Sequence, residues 1–197
     1  MSRRDNVARR CAGCHLLDDG CVCALIPSPP LAISTRVVLV IHREEERKPT
    51  NTGRLATRCL AGSEVIVRGH AGAPTPPIAI APGTRPLLLF PHPDATPLVA
   101  PRTGEPPVTL IVPDGTWRQA GKVRRRVPGL DAVPCVTLPP GPPTRYRLRH
   151  EPVAGGLATL EAIARALDVL DGPHVRAALE RVFDAMVAAT LRARGQA

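Results

Sequence analysis

The chain has almost no aromatic residues: Phe90, Trp117, Tyr146 and Phe183 are the whole set, 2% of 197 residues. Its core must therefore be filled with Val, Leu, Ile and Ala, which a hydrophobic content of 44% allows. Long apolar runs are also missing. The best, VVLVI at 37–41, has five residues, against the ~20 of a membrane span, so we expect no membrane partner. SRRDNVARR at the start leads into no apolar stretch, so no secretory signal is expected and the compartment read from it is cytoplasmic. Lysine is scarce too. Only Lys48 and Lys122 stand among 26 basic residues, and the net charge of +9 is carried by arginine. That charge favours an anionic partner, with nucleic acid the first candidate, although a GC-rich genome also produces an Arg, Ala and Pro excess. No feature suggests an obligatory protein partner. The length suits one full domain with a small appendage.

Four of the six cysteines fall within CAGCHLLDDGCVC, as Cys11, Cys14, Cys21 and Cys23, spaced C-x2-C-x6-C-x-C. Two thiolate pairs brought together by a short loop suit tetrahedral Zn²⁺. Arg9 and Arg10 beside them offset thiolate charge. Buried or redox-active thiols are the other reading, and His15 is a possible replacement ligand. Cys59 and Cys135 stand alone and are expected to pack as small apolar groups. We read residues 1–30 as a zinc-knuckle module and 31–197 as a separate domain.

Within that domain RVVLVI (36–41), EVIVR (64–68), PLLLF (86–90), VTLIV (108–112) and VPCVTL (133–138) are short, β-branched-rich runs. They read as buried strands of a mainly parallel sheet. Helical stretches are expected at 53–62, 116–127, 157–170 and 173–193. In the last of these Val175, Leu179, Val182, Met186 and Leu191 recur near a 3.6 period. The alternation predicts an α/β domain with helices flanking the sheet. Pro- and Gly-rich 69–85, 91–107 and 139–146 are expected to be loops.

Ligands in such sheets gather beyond the carboxyl ends of strands. After the first run, His42 and Glu45 are followed by Thr50, Asn51, Thr52 and Gly53, whose helix-start amides and Arg54 suit an anion; ordinary capping is the plain alternative. After the fourth run come Asp114, Gly115, Thr116 and Trp117. Asp114 is either a strand-end carboxylate able to take a proton or a helix cap, and Trp117 is either a ligand wall or a core anchor. Arg118, Lys122 and Arg125 recur at helical spacing as one basic face. Arg145, Arg147 and Arg149 alternate with Tyr146 and Leu148 along an extended stretch. Both are phosphate-contact candidates or solvated faces, and Tyr146 and Trp117 are candidate stacking platforms for a base. Gly155, Gly156 and Leu157 precede a helix carrying Thr159 and Glu161, with Glu161 expected off its apolar stripe, facing a ligand amine or water.

Taken in order, the cysteine knuckle, HREEERKPTNTGRL, LLLFPHPDA, DGTWRQAGK, YRLR and GGLATLEA resemble the DTW-domain family, from Cys11 to about Leu170. Its members include tRNA-uridine aminocarboxypropyltransferases. The resemblance implies a fold akin to the SPOUT RNA methyltransferases. It implies transfer of the 3-amino-3-carboxypropyl group of S-adenosylmethionine to N3 of a tRNA uridine, with 5′-methylthioadenosine leaving. On that basis Asp114, Thr116 and Trp117 are the catalytic candidates. His42, Thr50, Asn51, Thr52, Gly53, Gly156, Leu157, Thr159 and Glu161 are the donor-binding candidates. Arg54, Arg118, Lys122, Arg125, Arg145, Tyr146, Arg147 and Arg149 are the RNA-binding candidates. Ala158 departs from the Ser or Cys common there in the family. A non-catalytic zinc-containing RNA-binding protein, or a methyltransferase on the same fold, are the other functions these residues allow.

Overall fold

Runs of β-branched residues without polar alternation can be satisfied only between two covered faces, and the chain uses them that way. A computed structural model describes residues 9–148 and 155–196. Its strands are β1 (Arg36–His42), β2 (Glu64–Arg68), β3 (Arg85–Leu89), β4 (Thr96–Pro97), β5 (Val108–Asp114) and β6 (Cys135–Thr137). They form one sheet in the order β2-β1-β5-β3-β6-β4, with every strand pair parallel. All five predicted runs are strands. The two-residue β4 falls in a segment expected to be loop; a parallel edge strand ending in proline leaves no period to read.

The helices are α1 (Arg43–Glu46), α2 (Gly53–Cys59), α3 (Trp117–Ala120), α4 (Val123–Arg126), α5 (Thr159–Leu170) and α6 (Pro173–Ala193). Alternate residues of β1 enter two cores. Val37, Leu39 and Ile41 pack with α2, α5 and α6, while Val38 and Val40 pack with Val123, Val127 and Leu130 on the other face. The predicted face of α6, Val175, Leu179, Val182, Met186 and Leu191, is fully inside. Pro173 opens that helix, where its missing N–H costs nothing, directly after Gly172 at φ +105°.

Two expected helices are corrected. The one over 53–62 stops at Cys59, because Leu60 is extended and bridges Leu31. The one over 116–127 is two single turns. The Gln119 carbonyl accepts from Lys122 N and from the Arg68 guanidinium, so the turn closes before Gly121 and the next begins at Val123. The knuckle residues Leu16 and Val22 are buried in the same core as α2, α5 and α6, and Gly20 lies against Ala189 of α6. Among the described residues no helix is long and apolar enough to cross a membrane.

Candidate active site

A cavity of about 850 Å³ opens at the carboxyl ends of β1, β5, β3 and β6. Its walls are Thr50–Thr52 after β1, Phe90 and Pro91 after β3, Pro113–Arg118 around the end of β5, Thr137–Pro143 after β6, and Leu157–Thr159 at the start of α5. The chain runs from β1 outward to β2, then returns to β3 on the far side of β5. The cavity therefore sits where the winding reverses, over the central strand. Its size is ample for a small-molecule ligand.

Asp114, the last residue of β5, is 5% exposed and lies in this wall. Asn51 Nδ2 donates to its Oδ2 at 2.6 Å, and Thr159 Oγ1 donates to its Oδ1 at 2.8 Å. Three segments remote in sequence thus close on one carboxylate. Gly53 owes its identity to the same contact: a Cβ there would lie 2.6 Å from Asp114 Oδ2 and 2.9 Å from Leu39. The neighbouring threonines also serve the assembly. Thr52 Oγ1 accepts from Leu160 N of α5 at 3.1 Å, and the Thr50 carbonyl accepts from the Tyr146 hydroxyl at 2.7 Å. Thr116, not Asp114, is the cap. Its hydroxyl accepts from Gln119 N while Gln119 Oε1 accepts from Thr116 N, a reciprocal box that starts α3. Trp117 then lines the cavity beside Phe90, ring centroids 6.0 Å apart.

Of the donor-binding candidates, Thr50, Asn51, Thr52, Leu157 and Thr159 line the cavity, whereas His42, Gly53, Gly156 and Glu161 do not. His42 Nδ1 lies 3.0 Å from Gln119 Nε2 and accepts from Glu44 N; Gln119 also donates to Glu44. Burial, then the nearby Arg68, holds the His42 pKa below the usual histidine value. Glu161 does not face a ligand or water. It is 3% exposed, accepting from Ala158 N, Arg145 N and the Thr144 hydroxyl. The signal for this role was its place three residues after the N-cap of α5, from which a glutamate reaches back. Glu45, absent from the candidate set, is 2% exposed in the cavity wall with Lys48 Nζ at 2.5 Å. Burial picks it out of three consecutive glutamates, and no local pattern distinguishes them.

The basic candidates separate. Arg118 and Arg125 are exposed and Lys122 half-buried, but the break in the helix removes their common helical face. Arg145 is held by Glu180 and Asp184 of α6, at 3.2 and 3.0 Å. Arg147 is exposed, and Arg149 lies outside the described residues. Tyr146 is half-buried and stacks on Phe183 at 6.1 Å. Arg54 pairs with Glu46 at 3.2 Å.

The sulfurs of Cys11, Cys14, Cys21 and Cys23 all lie within 4.8 Å of one another. Cys11–Cys23 and Cys14–Cys21 separations are 3.6 and 3.8 Å. A tetrahedral Zn²⁺ with its usual sulfur bonds needs edges of about 3.8 Å, so the donor set fits. The Cys14 and Gly13 amides point at Cys11 and lower its pKa to about 6. Arg58 donates to Cys23 Sγ at 3.3 Å, adding a cation that a thiolate cluster requires.

Residues 8–191 match the DTW domain. The chain belongs to the DTW-domain family. Curated relatives of this DTW domain include tRNA-uridine aminocarboxypropyltransferase 2 of Drosophila melanogaster, 32% identical, with 89% of this chain and 72% of the relative covered. The mouse protein of the same name is 30% identical over 82% of this chain and 56% of its own length. tRNA-uridine aminocarboxypropyltransferase A of Arabidopsis thaliana is 27% identical over 90% of this chain and 79% of its own. The chain thus spans little more than half of the mouse protein. No solved structure matches it.

Proposed function

We propose that this DTW domain transfers the 3-amino-3-carboxypropyl group of S-adenosylmethionine to N3 of a tRNA uridine. The observation that carries the reading is Asp114, a buried carboxylate held by Asn51 and Thr159 in the wall of a large cavity beside Trp117. The names of the relatives point the same way. Uracil N3 carries a proton that must leave as its lone pair attacks. Asp114 receives the N3–H and accepts the proton, with Asn51 and Thr159 fixing the carboxylate's orientation. The new bond forms between N3 and the chain carbon next to sulfur. The bond from that carbon to sulfur breaks, its electron pair stays on sulfur, and 5′-methylthioadenosine leaves. Trp117 and Phe90 supply an aromatic wall for a ring. Thr50, Asn51, Thr52, Leu157 and Thr159 hold the donor, and the exposed Arg118, Arg125 and Arg147, with the half-buried Lys122, meet phosphates.

The knuckle is assigned Zn²⁺ on the same terms. None of its four cysteines lines the cavity, so the ion's contribution is folding energy. The deciding experiment is nucleoside mass spectrometry of tRNA incubated with the protein and S-adenosylmethionine. The expected product is aminocarboxypropyluridine with 5′-methylthioadenosine. Methyluridine with S-adenosylhomocysteine would make the chain a methyltransferase, and tRNA binding without any product would make it a binding protein.

A further inference from the structure

The knuckle packs against the HREEERKPTNTGRL segment across a shallow depression lined by Gly13, Cys14, His15, Glu46, Lys48 and Arg54, among others. Positive charge from three elements converges on it. Arg10 comes from the knuckle and donates to the His15 carbonyl at 2.9 Å. Arg47 and Lys48 follow α1 and are exposed. Arg54 and Arg58 project from α2, with Arg58 crossing to the knuckle at Cys23. His15, at φ +62°, sits in their midst. The acidic groups here are fewer: Glu46 on Arg54 and the buried Glu45 on Lys48. Asn51 lines both this depression and the large cavity, so the basic surface runs up to the cavity.

We infer that this collar, formed jointly by the metal knuckle and the segment after β1, is a docking surface for the phosphate backbone of the RNA whose uridine enters the cavity. This rests on the proposed tRNA substrate. Like charges held this close repel one another, and a polyanion laid across them removes that repulsion while releasing its own counterions. The knuckle thereby acquires a part in substrate binding that its metal alone does not supply. Arg54 belongs to this surface and not to the one around α3 and α4.

The test uses the full metal-loaded chain and unmodified tRNA. Binding is measured over a series of salt concentrations for the parent, Arg47→Gln and the double variant Arg47→Gln/Arg58→Gln. Zinc content and S-adenosylmethionine affinity are followed in parallel. Each lost contact is expected to reduce the salt slope by about 0.7–0.9, and to raise KM for tRNA while donor affinity stays within about twofold of the parent. Arg58 touches Cys23, so if the double variant loses metal the single Arg47→Gln variant decides. A parent-like slope and affinity in a metal-loaded variant would overturn the collar as an RNA surface. So would equal weakening of tRNA and donor, which marks a structural role. A parent that modifies tRNA while collar variants bind normally leaves the proposed reaction standing and removes only this inference. A parent that binds no tRNA removes both.

Discussion

The knuckle and the cavity are built by opposite means. The knuckle's four sulfurs come from thirteen consecutive residues, Cys11 to Cys23. The carboxylate in the cavity is gripped by Asn51 and Thr159, which stand 63 and 45 residues away from Asp114. A local site announces itself by spacing. A site assembled by topology announces only the strand ends at which it can form, and the partners appear once the order of strands is known.

The strongest way to break this contrast is Asp114→Asn. The amide keeps the volume, and the Thr159 hydroxyl can turn to accept from it, so the fold should hold while the proposed proton acceptor is gone. Single-turnover rate is expected to fall ~10²–10⁴-fold, with zinc content unchanged. Turnover within a few-fold of the parent would make Asp114 a clamp between three segments and nothing more. Next in size is Cys21→Ser, which removes one proposed ligand from the local site. Metal content should drop, and the melting temperature should fall by several degrees, because Leu16 and Val22 each stand to lose ~1.5–3 kcal/mol of burial. Full metal content in that variant would exclude Cys21 as a ligand.

The smallest expected effect concerns His42, behind the cavity. Its folded pKa lies below its ordinary value of 6.5 through burial, then Arg68. The unfolded chain therefore takes up the proton first as pH falls. The His42 contribution is fully present above pH 6.5 and is lost progressively on acidification below it. Thermal melts across pH 5–8 should show this loss, and His42→Gln should flatten it. An unchanged pH profile in the variant would place the acid sensitivity elsewhere.

The same distinction explains what could be read from residues alone. The buried strands were readable because a strand covered on both faces has a continuous apolar code, and α6 because its period is unbroken over 21 residues. The break between α3 and α4 was not, since it depends on Arg68 reaching the Gln119 carbonyl from β2. Glu161 looked like a ligand-facing carboxylate because helix periodicity says nothing of the loop at 144–145 that folds over it. Arg145 and Arg118 looked alike in sequence, yet only Arg145 meets α6 carboxylates. Glu45 was noticed after the first strand but given no role for the same reason: burial sorts three adjacent glutamates, and composition does not.

The packing of the knuckle on α6 has a consequence for biogenesis. The cysteines leave the ribosome long before Ala189, against which Gly20 rests. Until α6 emerges, Leu16 and Val22 have no completed core to enter. During that interval metal capture by four cysteines within thirteen residues is a local event able to give the knuckle a shape. Cells short of zinc during translation should accumulate chains whose knuckle is misassembled although every later strand has paired.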